Sequence, residues 1–206
     1  GVDSSVSGGE TFSFVRYNPT TNTILPGVIK IKAAGAPGGN GDLAFDRLGN
    51  MFFVAGAGTA SAGAQIYRAN VGDLSTSTTA TASRVGGKIE VSSVNSIAFG
   101  EDGFLYLFGS NTFFKTNPIT GAKVAEGPLN PETPLTDLGS RAVPRTLQLE
   151  TQLPETRYDE DDEFEIVIGG GGITVGNKDD TGGSDSATVD PIVVLPNTEY
   201  TIEQKP

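Results

Sequence analysis

The chain has 206 residues, with 25 acidic against 14 basic side chains and a formal net charge of −11. That balance speaks against a nucleic-acid backbone or an anionic membrane surface as partner, because both select clustered Lys and Arg. Cysteine and histidine are both absent, which excludes disulfides, thiol nucleophiles, the usual zinc sites and a Ser-His-Asp triad. No apolar run reaches the roughly 18 residues of a membrane helix, so helical membrane insertion is not expected.

Along the chain, helical periodicity never persists for a dozen residues. Short alternating or aromatic runs recur instead, separated by Gly, Thr, Ser, Asn and Pro clusters, and this predicts an all-β fold. The first run is Phe14-Val15-Arg16-Tyr17-Asn18-Pro19. It reads as an apolar strand with one basic residue, stopped where Pro removes a ladder donor. The same pattern returns at Phe113-Phe114-Lys115-Thr116-Asn117-Pro118, with a weaker middle copy at Ile66-Tyr67-Arg68-Ala69-Asn70.

A longer repeat links residues 41–54 to residues 95–108. Leu43 aligns with Ile97, Phe45 with Phe99, Gly49 with Gly103 and Phe53 with Leu107. Each copy predicts strand, tight turn and strand, with the glycine supplying the positive φ of the hairpin. Consecutive rings at Phe52-Phe53 and Phe113-Phe114 must point to opposite faces of a strand, which predicts a sheet buried on both sides.

These elements alternate with a period of roughly 50 residues, the scale of a four-stranded propeller blade. The phrase running from Leu43-Ala44-Phe45-Asp46 through Gly49-Asn50-Met51-Phe52 resembles the inner strands of bacterial propellers of the gluconolactonase-like and NHL-like groups. Residues 1–127 are therefore expected to form partial propeller-like blades, two to three in number. Closed rings take four to eight. The expected explanations, in order, are a fragment of a longer ring, blades completed by another chain, and a sandwich that imitates blades.

Residues 128–145 carry Pro128, Pro131, Pro134 and Pro144 and read as a linker. Beyond them, strands are predicted at 146–149, 164–168, 192–195 and 199–202. Thr136-Asp137-Leu138-Gly139-Ser140, Pro144-Arg145-Thr146-Leu147-Gln148-Leu149, Asp162-Glu163-Phe164-Glu165-Ile166 and Leu195-Pro196-Asn197-Thr198-Glu199-Tyr200-Thr201-Ile202-Glu203 follow in an order that resembles the immunoglobulin-like or prealbumin-like repeats of actinobacterial surface proteins. The resemblance implies a β-sandwich module over 146–206 with a stalk or adhesive role, extracellular or associated with a bacterial cell wall. Glu150 and Thr151 stand where such repeats often carry Lys, so a pilin-type Lys–Asn cross-link is not expected.

Three constellations bear on chemistry. Asp159, Asp161 and Asp162 lie in an acidic run, and such carboxylates suit Ca²⁺, a hard cation taking six to eight oxygens. A contiguous run does not aim its carboxylates at one point, and an exposed acidic turn is the favoured reading. Gly169-Gly170-Gly171-Gly172 lacks the Lys-Ser/Thr ending of a phosphate cradle and reads as a hairpin loop, with Asp179, Asp180 and Asp185 in the same loop. Asp42 and Asn95 occupy corresponding repeat positions. The lactonase-type resemblance implies a divalent metal at such strand ends, which needs a third carboxylate and a general base besides. Backbone hydrogen bonding by these two side chains is the favoured alternative.

The function expected from these readings is a non-enzymatic structural or adhesive cell-surface protein, with no cofactor unless Ca²⁺. Its partner would be a host protein, a glycan or a copy of itself, and not a nucleic acid. Two alternatives stand beside it: a metal-dependent, lactonase-like propeller hydrolase, and a homo-oligomeric fibre subunit built by strand complementation.

Overall fold

The computed structural model describes residues 11–37, 41–56, 63–76, 79–91, 94–109, 112–128, 138–140, 143–152, 164–171, 177–180 and 185–205. Strands β1 (Thr11–Asn18) and β2 (Thr23–Ala33) form a hairpin. An antiparallel meander follows: β3 (Gly41–Phe45), β4 (Met51–Gly56), β5 (Ala64–Ala69) and β6 (Thr79–Ile89), with helix α1 (Val71–Thr76) between the last two. A second meander comprises β7 (Val94–Phe99), β8 (Leu105–Gly109), β9 (Thr112–Thr116) and β10 (Lys123–Pro128). The chain continues through β11 (Thr146–Gln152), β12 (Glu165–Gly170), β13 (Asn177–Asp180), β14 (Ser186–Val193) and β15 (Tyr200–Lys205). The protein is nearly all β, as its composition predicts.

The repeat is realised in matching turns. Gly49 and Gly103 adopt φ of 88° and 78° in the β3–β4 and β7–β8 hairpins, a backbone region that a side chain resists. Asp46 secures the first turn by accepting from the Leu48 and Asn50 N–H groups. In the second turn Gly100 stands in its place, since a Cβ there would lie 2.5 Å from the Tyr106 ring. The Asn-Pro stops match as well. Asn18 Oδ1 accepts from the Thr20 N–H, and Asn117 Oδ1 from the Ile119 and Thr120 N–H groups, so both are side-chain-capped turns.

Strand β4 shows why these hairpins stack. All six of its residues are buried, the signature of a strand covered on both faces. Phe52 and Val54 enter one core with Ile97, Phe99, Leu105 and Leu107 of the second meander. Met51, Phe53 and Ala55 enter another with Phe12, Phe14, Ile29 and Ile31 of the β1–β2 hairpin. Phe52 meets Phe99 edge-on at 5.2 Å, while Phe53 meets Phe12 at 5.3 Å and stacks on Tyr67 at 5.4 Å. Each buried large side chain contributes about 1.5–3 kcal/mol, so the paired rings cement three layers.

One pairing departs from a set of independent hairpins. Strand β2 runs parallel to β6, from Lys30↔Thr79 to Ala33↔Ala82. This joins hairpin and meander into a six-stranded sheet of order β1-β2-β6-β5-β4-β3; the sheets of the protein are curled and include a half-barrel. The second meander is a separate sheet, β10-β9-β8-β7.

In the C-terminal part the two-stranded sheet β11-β14 faces the three-stranded sheet β13-β12-β15. Ile166 and Ile168 meet Ala187, Val189 and Ile192 in the core between them. This part is tied to the first. Arg68 Nη2 donates to the Pro191 carbonyl at 2.6 Å, and Asn70 Nδ2 to Asp190 Oδ2 at 3.1 Å. Val193 shares the core between the meanders. From the stretch read as a linker, Ser140 Oγ accepts from the Phe99 N–H at 2.9 Å.

Three local elements differ from the sequence reading. Strand β14 ends at Val193 rather than covering 192–195, Asp179 and Asp180 lie in β13 rather than in a loop, and α1 is a helix. The polar segment Asn177–Asp180 pairs with β12 from Glu165↔Asp180 to Ile168↔Asn177. Backbone pairing, with Ile166 and Ile168 supplying the burial, recruits a strand that has no apolar alternation of its own.

Candidate interaction surface

The two ends of the six-stranded order, β1 and β3, each pair on one side only among the described residues. Because the sheet curls, both edges border a single open groove of about 540 Å³. Phe14, Val15 and Tyr17 from β1, Leu43 and Phe45 from β3, and Leu74 from α1 line it, with Met51 and Ile29 at its floor. The apolar surface continues outside. Val15 is 58%, Tyr17 56% and Phe45 48% exposed, and Ile24 lies beside Tyr17 in the hairpin register. Contiguous exposed apolar surface next to unpaired strand edges marks an interaction site more often than an accident of packing.

The sequence explains the exposure. Phe12 and Phe14 alternate inward, but the register of the hairpin shifts between Val15 and Tyr17. A bulge of this kind bends the strand and re-aims its side chains. Gly27 at φ 88° accommodates the extra residues on β2. Val15 and Tyr17 alternate with Phe12 and Phe14 and so face the other way, where no described strand covers them.

The electrostatics are one-sided. Strands β1 and β2 carry Arg16, Lys30 and Lys32 and no acidic residue, and all three are exposed. Arg47, in the turn after β3, is exposed as well. Of the nearby carboxylates, Asp46 is held in its turn and Asp42 by the Leu43 and Ile97 N–H groups, while Asp73, beside Leu74 in α1, is exposed. Arg16 lines the groove, and Lys30 and Lys32 lie on the outer face of the same hairpin, so the hairpin is basic in a strongly acidic chain.

Asp42 sits in β3 and bridges the two sheets. Its Oδ1 accepts from the Leu43 N–H at 2.7 Å and its Oδ2 from the Ile97 N–H of β7 at 2.9 Å. Asn95 lies in β7, but its side chain is outside the described residues. Asp159, Asp161 and Asp162 are outside them too. Among the described residues no group of three or more acidic side chains is placed to hold a metal ion.

A second cluster surrounds Asp102. Its Oδ2 receives Lys115 Nζ at 2.6 Å and the Tyr106 hydroxyl at 2.9 Å, while Lys115 also lies over the Phe104 ring at 4.3 Å. Desolvation would push the Asp102 carboxyl up, but the bonds from Lys115, Tyr106 and the Phe104 N–H outweigh it and hold it below the ordinary carboxylate range. Lys115 is raised, first by its bond to Asp102; Tyr106 is raised by desolvation and then by Asp102. The set fastens the β7–β8 turn to β9. Arg68 is pulled down by burial, against the charges of Asp46 and Asp190.

The groove was not legible from the residue types, because Phe-Val-Arg-Tyr reads equally well as core. Its only sequence signal is the excess of apolar residues over strict alternation at Phe14-Val15 and Tyr17. No family model, no curated protein and no solved structure matches the chain.

Proposed function

We propose that this chain is a non-enzymatic binding protein of the bacterial cell surface, and that the groove between β1 and β3 is where it holds its partner. The observation that carries the reading is an exposed apolar groove bordered by the β1 edge, which pairs on one side only among the described residues, in a hairpin that carries Arg16, Lys30 and Lys32 and no acidic residue. Edges of this kind bind an extended chain by adding it to the sheet: main-chain hydrogen bonds give affinity, and pockets for alternate side chains give specificity.

In this reading the two stacked meanders are propeller-type blades, and the C-terminal pair of sheets is the immunoglobulin-like or prealbumin-like module that presents them. Support comes from the repeated hairpins with matching glycine turns and Asn-Pro stops and from the face-to-face C-terminal sheets. The extracellular setting rests on the resemblance of residues 136–206 to actinobacterial surface repeats.

The test pairs adhesion with turnover. Beads coated with the protein are scored for capture on surfaces bearing matrix proteins or glycans, and the soluble protein is assayed on a panel of lactones and esters with and without Ca²⁺. Capture that is lost in Val15→Glu, with no turnover, is the expected result. Cation-dependent hydrolysis, or capture untouched by Val15→Glu, overturns the proposal.

A further inference from the structure

We infer that the occupant of the groove is strand β15 of a second copy of this chain, docked head to tail; this rests on the reading of the groove as a strand-accepting site. The first argument is charge. Residues 146–206 hold 14 acidic and 3 basic side chains, whereas β1 and β2 hold three basic and no acidic ones. The charge is thus divided along the chain between a basic β1–β2 hairpin and an acidic C-terminal segment. Opposed patches of this kind steer copies into one relative orientation and penalise like ends meeting.

The second argument is the form of β15. It closes one side of the sheet β13-β12-β15 and, among the described residues, pairs only with β12. Residues 201–205 are all exposed, and Ile202 is 58% exposed in the middle of the strand. An edge strand that presents an isolated large aliphatic side chain is a template for pairing with another chain. Lys205 is shared between Glu165 at 3.7 Å and Glu203 at 3.6 Å. β15 itself carries one carboxylate, Glu203, and one cation, Lys205, and Glu165 belongs to the neighbouring β12.

The dimensions agree. At about 3.3 Å per residue, a six-residue strand is ~20 Å long and an eight-residue edge ~26 Å, so β15 fits along β1. Alternation then turns Ile202 to one face and Thr201 and Glu203 to the other. On the groove side Ile202 meets Phe14, Leu43 and Phe45. On the outer side Glu203 stands two strand spacings from Lys30 and Lys32, about 10 Å, within a Debye length at 0.1 M salt. The donor and acceptor surfaces are different, so the contact is heterologous, and a heterologous contact that does not close builds an open chain.

The experiment is sedimentation velocity of the full chain over a concentration series. Wild-type protein should form oligomers that lengthen with concentration, with an apparent Kd raised about tenfold or more by 1 M salt. Val15→Glu removes the acceptor and Ile202→Asp the donor; both positions are exposed, and circular dichroism checks that each variant keeps its fold. Each variant alone should be monomeric, and an equimolar mixture should give dimers only, because one intact half remains on each partner. Wild type that is monomeric at every concentration overturns the inference, while the bead assay still judges the groove. Assembly lost in Val15→Glu but kept in Ile202→Asp rejects β15 and leaves the groove standing. Assembly kept in both variants rejects both readings.

Discussion

Asp42 offers the sharpest separation of a structural carboxylate from a metal ligand. Its two oxygens accept from the Leu43 and Ile97 N–H groups at 2.7 and 2.9 Å. Ile97 is 1% exposed, so Asp42→Ala leaves its N–H buried without this acceptor. An unsatisfied buried donor costs about 1–3 kcal/mol, and a hydrogen bond to a charged group is worth about 1.5–3 kcal/mol. Because these overlap, the expected loss is about 2–4 kcal/mol. Asp42→Asn keeps one carbonyl oxygen and should lose roughly half as much. For a chain of this size each kcal/mol moves the thermal midpoint by about 2–4 °C. Urea unfolding followed by circular dichroism, with and without Ca²⁺, provides the measurement. An Asp42→Ala midpoint equal to wild type without the cation would refute the tie between sheets. So would a wild-type midpoint that rises with Ca²⁺ while the variant's does not, since a ligand at 100 times its Kd stabilises by about 2.7 kcal/mol.

Three further outcomes follow from the packing and the charges. Gly121 has φ +67°, and a Cβ on it would lie 2.5 Å from the Val85 carbonyl oxygen; Gly121→Ala should cost at least about 2 kcal/mol from left-handed strain and the clash, and an unchanged urea midpoint would show that β6 and the β9–β10 turn are not locked there. Phe53→Ala should cost about 3–5 kcal/mol, since the ring is fully buried among Phe12, Phe14 and Tyr67; a loss under 1 kcal/mol would mean that the hairpin does not pack on β4. The Asp102 carboxyl is held low in the folded state, so its contribution is present above its unfolded value near ~4 and fades as pH falls through the lower folded value. Lys115 is held high, so its share persists below about 10.4 and fades as pH rises further. The stability gap between wild type and Asp102→Asn should therefore be flat from pH 5 to 9 and shrink at both extremes; a gap that grows in acid would reverse the assignment.

Much of the fold was legible because it is written in local chemistry. Gly49 and Gly103 announce their turns through backbone freedom, and Asn18 and Asn117 announce theirs through side-chain caps that need no distant partner. The candidate site was legible only in part. Asp42 was singled out from its repeat position, and the structure finds it accepting backbone N–H groups. The groove was missed, because alternation sets which way Val15 and Tyr17 face but not whether another strand comes to cover that face.

Three properties are written along the chain: it is β, it repeats, and its charge is divided between a basic hairpin and an acidic C-terminal segment. Those properties follow from residue type and spacing, which act over a few residues or sum without regard to geometry. Packing in three dimensions set β2 parallel to β6, made a polar segment into β13, and left β1 and β3 bordering one groove. Each of these depends on which backbone edges meet after the cores have closed. Peptide groups are chemically alike along the chain, so the choice among them is made by packing.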